Sequence, residues 1–310
     1  MKNNEKYVCV VGGANVDICG TPFSPLNMRD SNPGKVTLSL GGVGRNIAEN
    51  LARLGVCVKF ITVLGEDVHA EEIRSSCNRL GIDVSHSLTM VGRQTSTYLC
   101  LNDADGEMSV ALSDMDIFDN LTPQYLAEQA EVIDGAECVV ADTNVPQCLK
   151  YLLRTAKPPV FLDTVSAKKT AIVKDDVSGA FCLKPNLLEA EILTGVKVKD
   201  DETLAEAIGK MHASGAKWVI VSCGERGAYV SDGVKTEFLP TFAKHVVSTT
   251  GAGDSFVAGL VYGFVHGKDV FESATIGGAA SALTVSDKLT VSPSMTEKAI
   301  FEIIKENIRK

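Results

Sequence analysis

The stretch TTGAGDSF, Thr249–Phe256, is followed by the apolar run VAGLVYGFV. Two glycines around an alanine let a chain approach a ligand with its bare backbone, and the run behind them has the length and content of a buried helix. Free N–H groups at such a helix start, with the dipole behind them, favour an anion. An aspartate is the last side chain to set beside that anion, and Asp254 stands directly behind Gly253. Two readings are open. Asp254 is a first-turn acid that serves the helix, or it faces a nucleophile while the amides of Gly251, Ala252 and Gly253 face a transferring phosphoryl group.

Outward from this point the chain alternates short β-branched runs with amphipathic stretches. YVCVVGG (7–13), VKFITVLG (58–65), CVVAD (138–142), PVFLD (159–163), FCLKPN (181–186) and WVIVSCG (218–224) read as strands. Their nearly unbroken apolar character suits a parallel sheet covered on both faces. GRNIAENLARLG (44–55) places Ile47, Leu51 and Leu54 on one helical face, and HAEEIRSSCNRLG (69–81) does the same with Ile73, Cys77 and Leu80. LAEAIGKMHASG, DSFVAGLVYGFVHG and the terminal TEKAIFEIIKENIRK are further helices. The pattern predicts an α/β fold, a doubly wound and mostly parallel sheet, as one domain over 1–310. Two segments break the rhythm, at about 18–40 and about 95–112, the second holding alternating strands around DADGE. They predict a small β lid outside the main sheet.

Composition narrows the function. The 310 residues carry a formal net charge of −9 with no Lys/Arg cluster, which argues against a nucleic-acid partner or an anionic membrane surface. Nine cysteines, without C-x-x-C or paired spacing, read as reduced and mostly buried. No signal-like N-terminal segment and no span-length apolar run stands in the sequence, so a cytoplasmic location is expected. The P-loop, the dinucleotide fingerprint, H-E-x-x-H and G-x-S-x-G are all missing. The five histidines share no spacing and read as surface or packing residues.

Other polar residues stand at the predicted strand ends, where α/β proteins place ligands. Asn186 and Glu189 in KPNLLEAE fit a helix cap with a first-turn acid, or a water-mediated Mg²⁺ shell at Glu189. Asn15 and Asp17 in GGANVDICG fit an Asx turn, or a pair that hydrogen-bonds vicinal hydroxyls. SCGERG (222–227) fits a hairpin or an approach to a nucleotide.

Taken in order, GANVD, GGVGRN, KPNLLE, SCGERG and TTGAGDSF resemble the ribokinase-like (PfkB) family of carbohydrate kinases across essentially the whole chain. The stretches DSNPGK (30–35), GGVGRNIAENLARLG (41–55), TSTYL (95–99), GEMSVALSDM (106–115) and ADTN (141–144) are most similar to members that phosphorylate pseudouridine. The resemblance implies transfer from ATP, with Mg²⁺, to the 5′-hydroxyl of pseudouridine. Ribose or another nucleoside is the alternative acceptor, and a non-catalytic ligand-binding regulator is the alternative outside the enzymes. It also implies Asp254 as general base and Gly251, Ala252 and Gly253 as the anion hole. Asn15, Asp17, Gly41, Gly42, Asn46 and Asn144 would hold the acceptor; Asn186, Ser222, Gly224 and Gly227 would face the nucleotide, and Glu189 the metal. Ser248 replaces an aspartate that helps ribokinases hold potassium, which leaves a monovalent cation open, and Val43 replaces a favoured lysine. Pairing of lid strands would make a homodimer.

Overall fold

The computed structural model describes residues 6–308; Met1–Glu5, part of the N-terminal stretch read for a leader, and Arg309 and Lys310 of the terminal helix lie outside the described residues. The chain begins with β1 (Val8–Val11), β2 (Asn15–Pro22), β3 (Gly34–Gly41), α1 (Val43–Arg53), β4 (Val58–Ile61) and β5 (Val63–Leu64). Next come α2 (Val68–Arg79), β6 (Leu88–Thr89), β7 (Thr97–Asn102), β8 (Met108–Asp114), α3 (Pro123–Glu128) and α4 (Ala130–Asp134). Then follow β9 (Cys138–Asp142), α5 (Pro146–Thr155), β10 (Val160–Asp163), α6 (Ala167–Val173), β11 (Cys182–Lys184) and α7 (Leu187–Thr194). The last part holds α8 (Asp201–Ala213), β12 (Trp218–Ser222), β13 (Gly227–Ser231), β14 (Thr236–Pro240), α9 (Ala252–Val265), α10 (Val270–Val285) and α11 (Glu297–Ile308).

The main sheet runs β14-β13-β12-β11-β10-β9-β1-β4. Six of its strands, β12 through β4, are parallel, and β13 and β14 continue it antiparallel at one edge. Period-2 alternation divides each central strand between two cores. Val8 and Val10 join one cluster with Ile47, Leu51 and the apolar residues of α9, while Cys9 and Val11 join another with Leu149, Leu152, Leu204 and Ile208. Both faces are thus covered, as the apolar runs predict. The nine cysteines form no disulfide among the described residues and six of them are buried, in agreement with the reading of mostly buried thiols.

Three features differ from the sequence reading. VKFITVLG is not one strand, because the buried Thr62 donates its N–H to Ser87 Oγ and accepts at its carbonyl from Leu88 N, and β5 pairs instead with β6. The antiparallel edge β13–β14 and the short helices α3, α4 and α6 are too brief to show a period. In α10, Gly, Ala and Ser are buried nearly all round against α9 and α11, so no apolar stripe marks it.

The second sheet, β3-β2-β7-β8, uses the two segments that break the helical rhythm. Its register puts Val36, Leu38, Leu101, Val110 and Leu112 on one face, and all five are exposed. Asp17 and Tyr98 alternate to the other face. Among the described residues no helix is long and apolar enough to cross a membrane.

On the α9 face, the rings of Phe161, Phe181, Trp218 and Phe264 pack with centroids 5.1–5.9 Å apart. Phe161 is fully buried at their centre, and Trp218 is the single tryptophan. Phe161→Ala is expected to destabilise the fold by about 3–5 kcal/mol. The check is urea unfolding followed by Trp218 emission, and an unchanged midpoint would contradict the packing account.

Candidate active site

The carboxyl ends of the central strands each finish on or beside a polar residue: Asp142 on β9, Asp163 on β10, Lys184 on β11 and Ser222 on β12. The start of α9 closes over this row. Gly251 takes φ 81° there, and a Cβ would lie 2.0 Å from the Thr290 carbonyl oxygen, so only glycine turns the chain into α9 at this point. No side chain caps the helix; Ala252 N donates to the Thr249 carbonyl at 3.3 Å, and Gly253 in the first turn lies at the strand ends near Lys184. Between them is a cavity of about 270 Å³ lined by Asp163, Lys184, Asn186, Glu189, Gly253 and Asp254, with Val43 and Ser222 at its wall.

Asp254 is therefore not the N-cap. Its Oδ2 accepts a hydrogen bond from Asn46 Nδ2 at 2.7 Å, across 208 residues of sequence. Burial and the negative charges of Asp163 and Asp142 push its pKa up to about 7, against the opposing effects of the Asn46 bond and the Lys184 ammonium. A carboxyl poised near neutrality inside a cavity can exchange a proton with a ligand hydroxyl.

Lys184 and Asp163 belong to the same cluster, although neither stands among the sequence-derived candidates. The Lys184 ammonium lies 3.4 Å from Asp163 Oδ2, and a Cβ built on Gly253 would be 3.4 Å from Nζ. Burial alone would depress this ammonium, but Asp163, Glu189 and Asp254 outweigh it and hold its pKa above the ordinary lysine value. Asp163 Oδ1 accepts from Val165 N at 2.8 Å, while Oδ2 has no hydrogen-bond partner. Val165 itself sits at φ 59°, a strained conformation for a β-branched residue on a cavity wall. The available signal was a charge ending each apolar run, in PVFLD and in FCLKPN.

Asn186 and Glu189 do form the capping box that the cap reading foresees. Asn186 Oδ1 accepts from Glu189 N, and Glu189 Oε2 accepts from Asn186 N, both at 2.9 Å. Thr164 Oγ1 donates to the same Oε2 at 2.6 Å. Glu189 lines the cavity together with Asp163, whose Oδ2 faces the Lys184 ammonium and accepts no hydrogen bond. No group of three or more His, Cys, Asp or Glu that could cage a metal occurs among the described residues. Two carboxylates at one cavity fit Mg²⁺, which keeps several waters and is usually held by one or two carboxylates and substrate oxygens.

The remaining candidates divide by position. Asn15 and Asp17 stand at the root of the small sheet, with Asn15 Nδ2 donating to Asp17 Oδ1 at 2.6 Å. Burial raises the Asp17 pKa, opposed by Asn15 and Arg45. Gly41 pairs with Asn15, and a Cβ there would lie 2.2 Å from Asp17 Oδ2. Gly42 then caps α1 and carries Asn46 to Asp254. Asn144 follows β9, beside Gly13, and its Oδ1 accepts from Lys169 Nζ. Ser222 reaches the cavity. Gly224 and Gly227 lie farther on, in the turn and hairpin joining β12 to β13, and the cavity does not include them.

The model of the family described as pfkB family carbohydrate kinase matches residues 5–297. The chain is 36% identical to the pseudouridine kinase of Escherichia coli (strain K12), with 96% of each chain covered. Among solved structures, a putative sugar kinase from Clostridium perfringens is 34% identical with a TM-score of 0.89, covering 97% of this chain and 96% of that one. Arabidopsis thaliana ribokinase, solved with ribose and ATP, is 25% identical with a TM-score of 0.82, covering 97% and 99%.

The raised pKa of Asp254 has a stability cost with a definite sign. The folded protein holds this proton up to about pH 7, whereas an unfolded aspartate releases it near pH 3.8. Stability contributed by the protonated form is therefore lost as pH rises through that window, to the extent of roughly 2–4 kcal/mol. Asp254→Asn removes the ionisation, so its Tm should match wild type near pH 4 and exceed it above pH 7. Parallel Tm–pH curves for the two proteins would show that Asp254 titrates normally.

Proposed function

The chain belongs to the pfkB family of carbohydrate kinases, and on that premise we propose that it transfers the γ-phosphoryl group of ATP to the 5′-hydroxyl of pseudouridine. The carrying observation for the reaction is the half-buried Asp254 carboxyl, raised to about 7 and set in the first turn of α9 beside the buried Lys184 ammonium. The acceptor is supported by similarity to the Escherichia coli pseudouridine kinase over nearly the full length of both chains.

In this reading Asp254 takes the proton of the 5′-hydroxyl as the oxygen attacks the γ-phosphorus. The bond from that phosphorus to the bridging oxygen breaks, ADP departs, and pseudouridine 5′-phosphate remains. The amides of Gly251, Ala252 and Gly253, with Lys184, face the charge on the equatorial oxygens. Asn15, Asp17, Gly41, Gly42 and Asn46 hold the ribose, and Asn144 supports it from β9. Asn186, Ser222, Gly224 and Gly227 serve the nucleotide side. Mg²⁺, held at Glu189 through water and beside Asp163, would neutralise phosphate charge when bound. Ser248 Oγ accepts from Thr250 N at 3.2 Å and brings no charge, so a strong potassium requirement is not part of the proposal.

The small sheet acts as a lid, with Asp17 and Tyr98 on its inner face and the exposed apolar face turned away, where a second copy of the chain would cover it. Ribose is the second reading, favoured by the similarity to a ribokinase solved with ribose and ATP.

ADP release with pseudouridine, uridine, adenosine, ribose and fructose 6-phosphate separates these acceptors. Pseudouridine is expected to give the highest kcat/KM; a clear preference for ribose would overturn the acceptor and leave the kinase. Asp254→Asn should then lower kcat by roughly 10²–10⁴-fold with KM little changed. A folded Asp254→Asn protein with near-normal turnover would sink the mechanism.

A further inference from the structure

The first two turns of α1 bury four polar residues, Arg45, Asn46, Glu49 and Asn50, on a helix that has an apolar core to face. Burying a guanidinium costs several kcal/mol unless its donors are used. Here they are used in a particular way. Nε donates to the Gly41 carbonyl at 3.0 Å and Nη2 to the Leu40 carbonyl at 2.8 Å. Nη2 also donates to Asn46 Oδ1 at 2.5 Å, and Nη1 to Glu49 Oε2 at 2.5 Å. Leu40 and Gly41 are the last residues of β3, where the small sheet enters α1. Asn46 is the residue that donates to Asp254.

We propose that Arg45 is a positioning residue for the phosphoryl transfer. Its planar fork fixes the Asn46 amide with Nδ2 toward Asp254, and the same fork ties that amide to the root of the small sheet. An arginine donor on Oδ1 leaves only one orientation for the amide, because a flip would set Nδ2 against a cation and Oδ1 against a carboxylate. The position of the small sheet and the hydrogen bond on the base are thereby held by one side chain. This inference rests on the reading of Asp254 as the base.

Several charges bear on Asp254 from other elements: Asp142 on β9, Asp163 on β10 and Lys184 on β11. None of them touches Arg45 in the structure's hydrogen bonds, so their effect persists when Arg45 is changed. Losing the Asn46 donor removes an influence that favours the ionised base. The acid limb of the rate profile should therefore move to higher pH, and more substrate should be needed to hold the small sheet in place.

The experiment compares wild type with Arg45→Met and Arg45→Lys, with Phe161→Leu as a core variant that lowers Tm without touching the site. Glu49 keeps Arg53 as a partner, at 2.8 Å, when Arg45 is removed. The expected result for both Arg45 variants is a kcat lowered about 10–100-fold at pH 7. The acid limb should move up by about half a pH unit or more, partial recovery should appear at pH 9, and nucleoside KM should rise several-fold. Lysine should not rescue, since one ammonium cannot span both carbonyls and the Asn46 oxygen. Phe161→Leu should lower Tm and leave the limb in place. If Arg45→Met does not fold, Arg45→Lys carries the test. Folded Arg45 variants with an unmoved acid limb, whether active or merely less stable, overturn the proposal. The same displacement is read without turnover by carboxyl ¹³C NMR of Asp254, assigned with Asp254→Asn. A wild type that phosphorylates no acceptor thus defeats the kinase reading alone, and the NMR titration still decides the role of Arg45.

Discussion

The hydrogen bond between Asn46 and Asp254 joins the first helix of the chain to the ninth, and the geometry of the candidate site depends on it. For the bond to exist, α1 and α9 must start side by side above the ends of the parallel strands. Gly41 and Gly251 make this possible, each by leaving out a side chain that would strike Asp17 or Thr290. The sheet order then brings Asp142, Asp163 and Lys184 under the two helix starts. A shift of either helix by one residue would leave the half-buried Asp254 carboxyl without its donor.

Electrostatics at the site are local and strained by burial. Acids outnumber bases there, as they do in the whole chain. The repulsion between Asp254 and Asp163 is tolerated because the Lys184 ammonium acts on both. The same arrangement explains how an acidic protein would accept a nucleotide: the positive potential needed by phosphate is supplied within a few ångströms, by one ammonium and backbone N–H groups, and not by a basic surface.

The small sheet has a different logic. It contributes little to either main core, exposes a row of aliphatic side chains on its outer face and presents Asp17 inward. One of its connections to the rest is the Leu40–Gly41 root, which Arg45 holds, and another is the Ala14–Ser96 junction, where Ser96 Oγ donates to the Ala14 carbonyl.

Periodicity made the fold class legible, because unbroken apolar runs and 3.6-residue stripes arise from burial that local sequence must serve. It also made legible the small sheet, whose strands alternate around polar turns; the motifs at the strand ends were legible by resemblance to the family. It did not reveal α10, buried on nearly all sides and hence without a stripe, or the break at Thr62, where a side chain 25 residues away captures the ladder. At the site, Asp254, Asn186 and Glu189 were recognisable in their motifs, yet both a helix-serving and a ligand-facing reading stood open for all three. The structure shows that the cap is formed and that the same pair faces the cavity. Lys184, Asp163 and Arg45 look like ordinary charges in one dimension. Their significance comes from what they meet after folding, since burial, the proximity of like charges and the orientation of a shared amide are set by residues up to 208 positions apart.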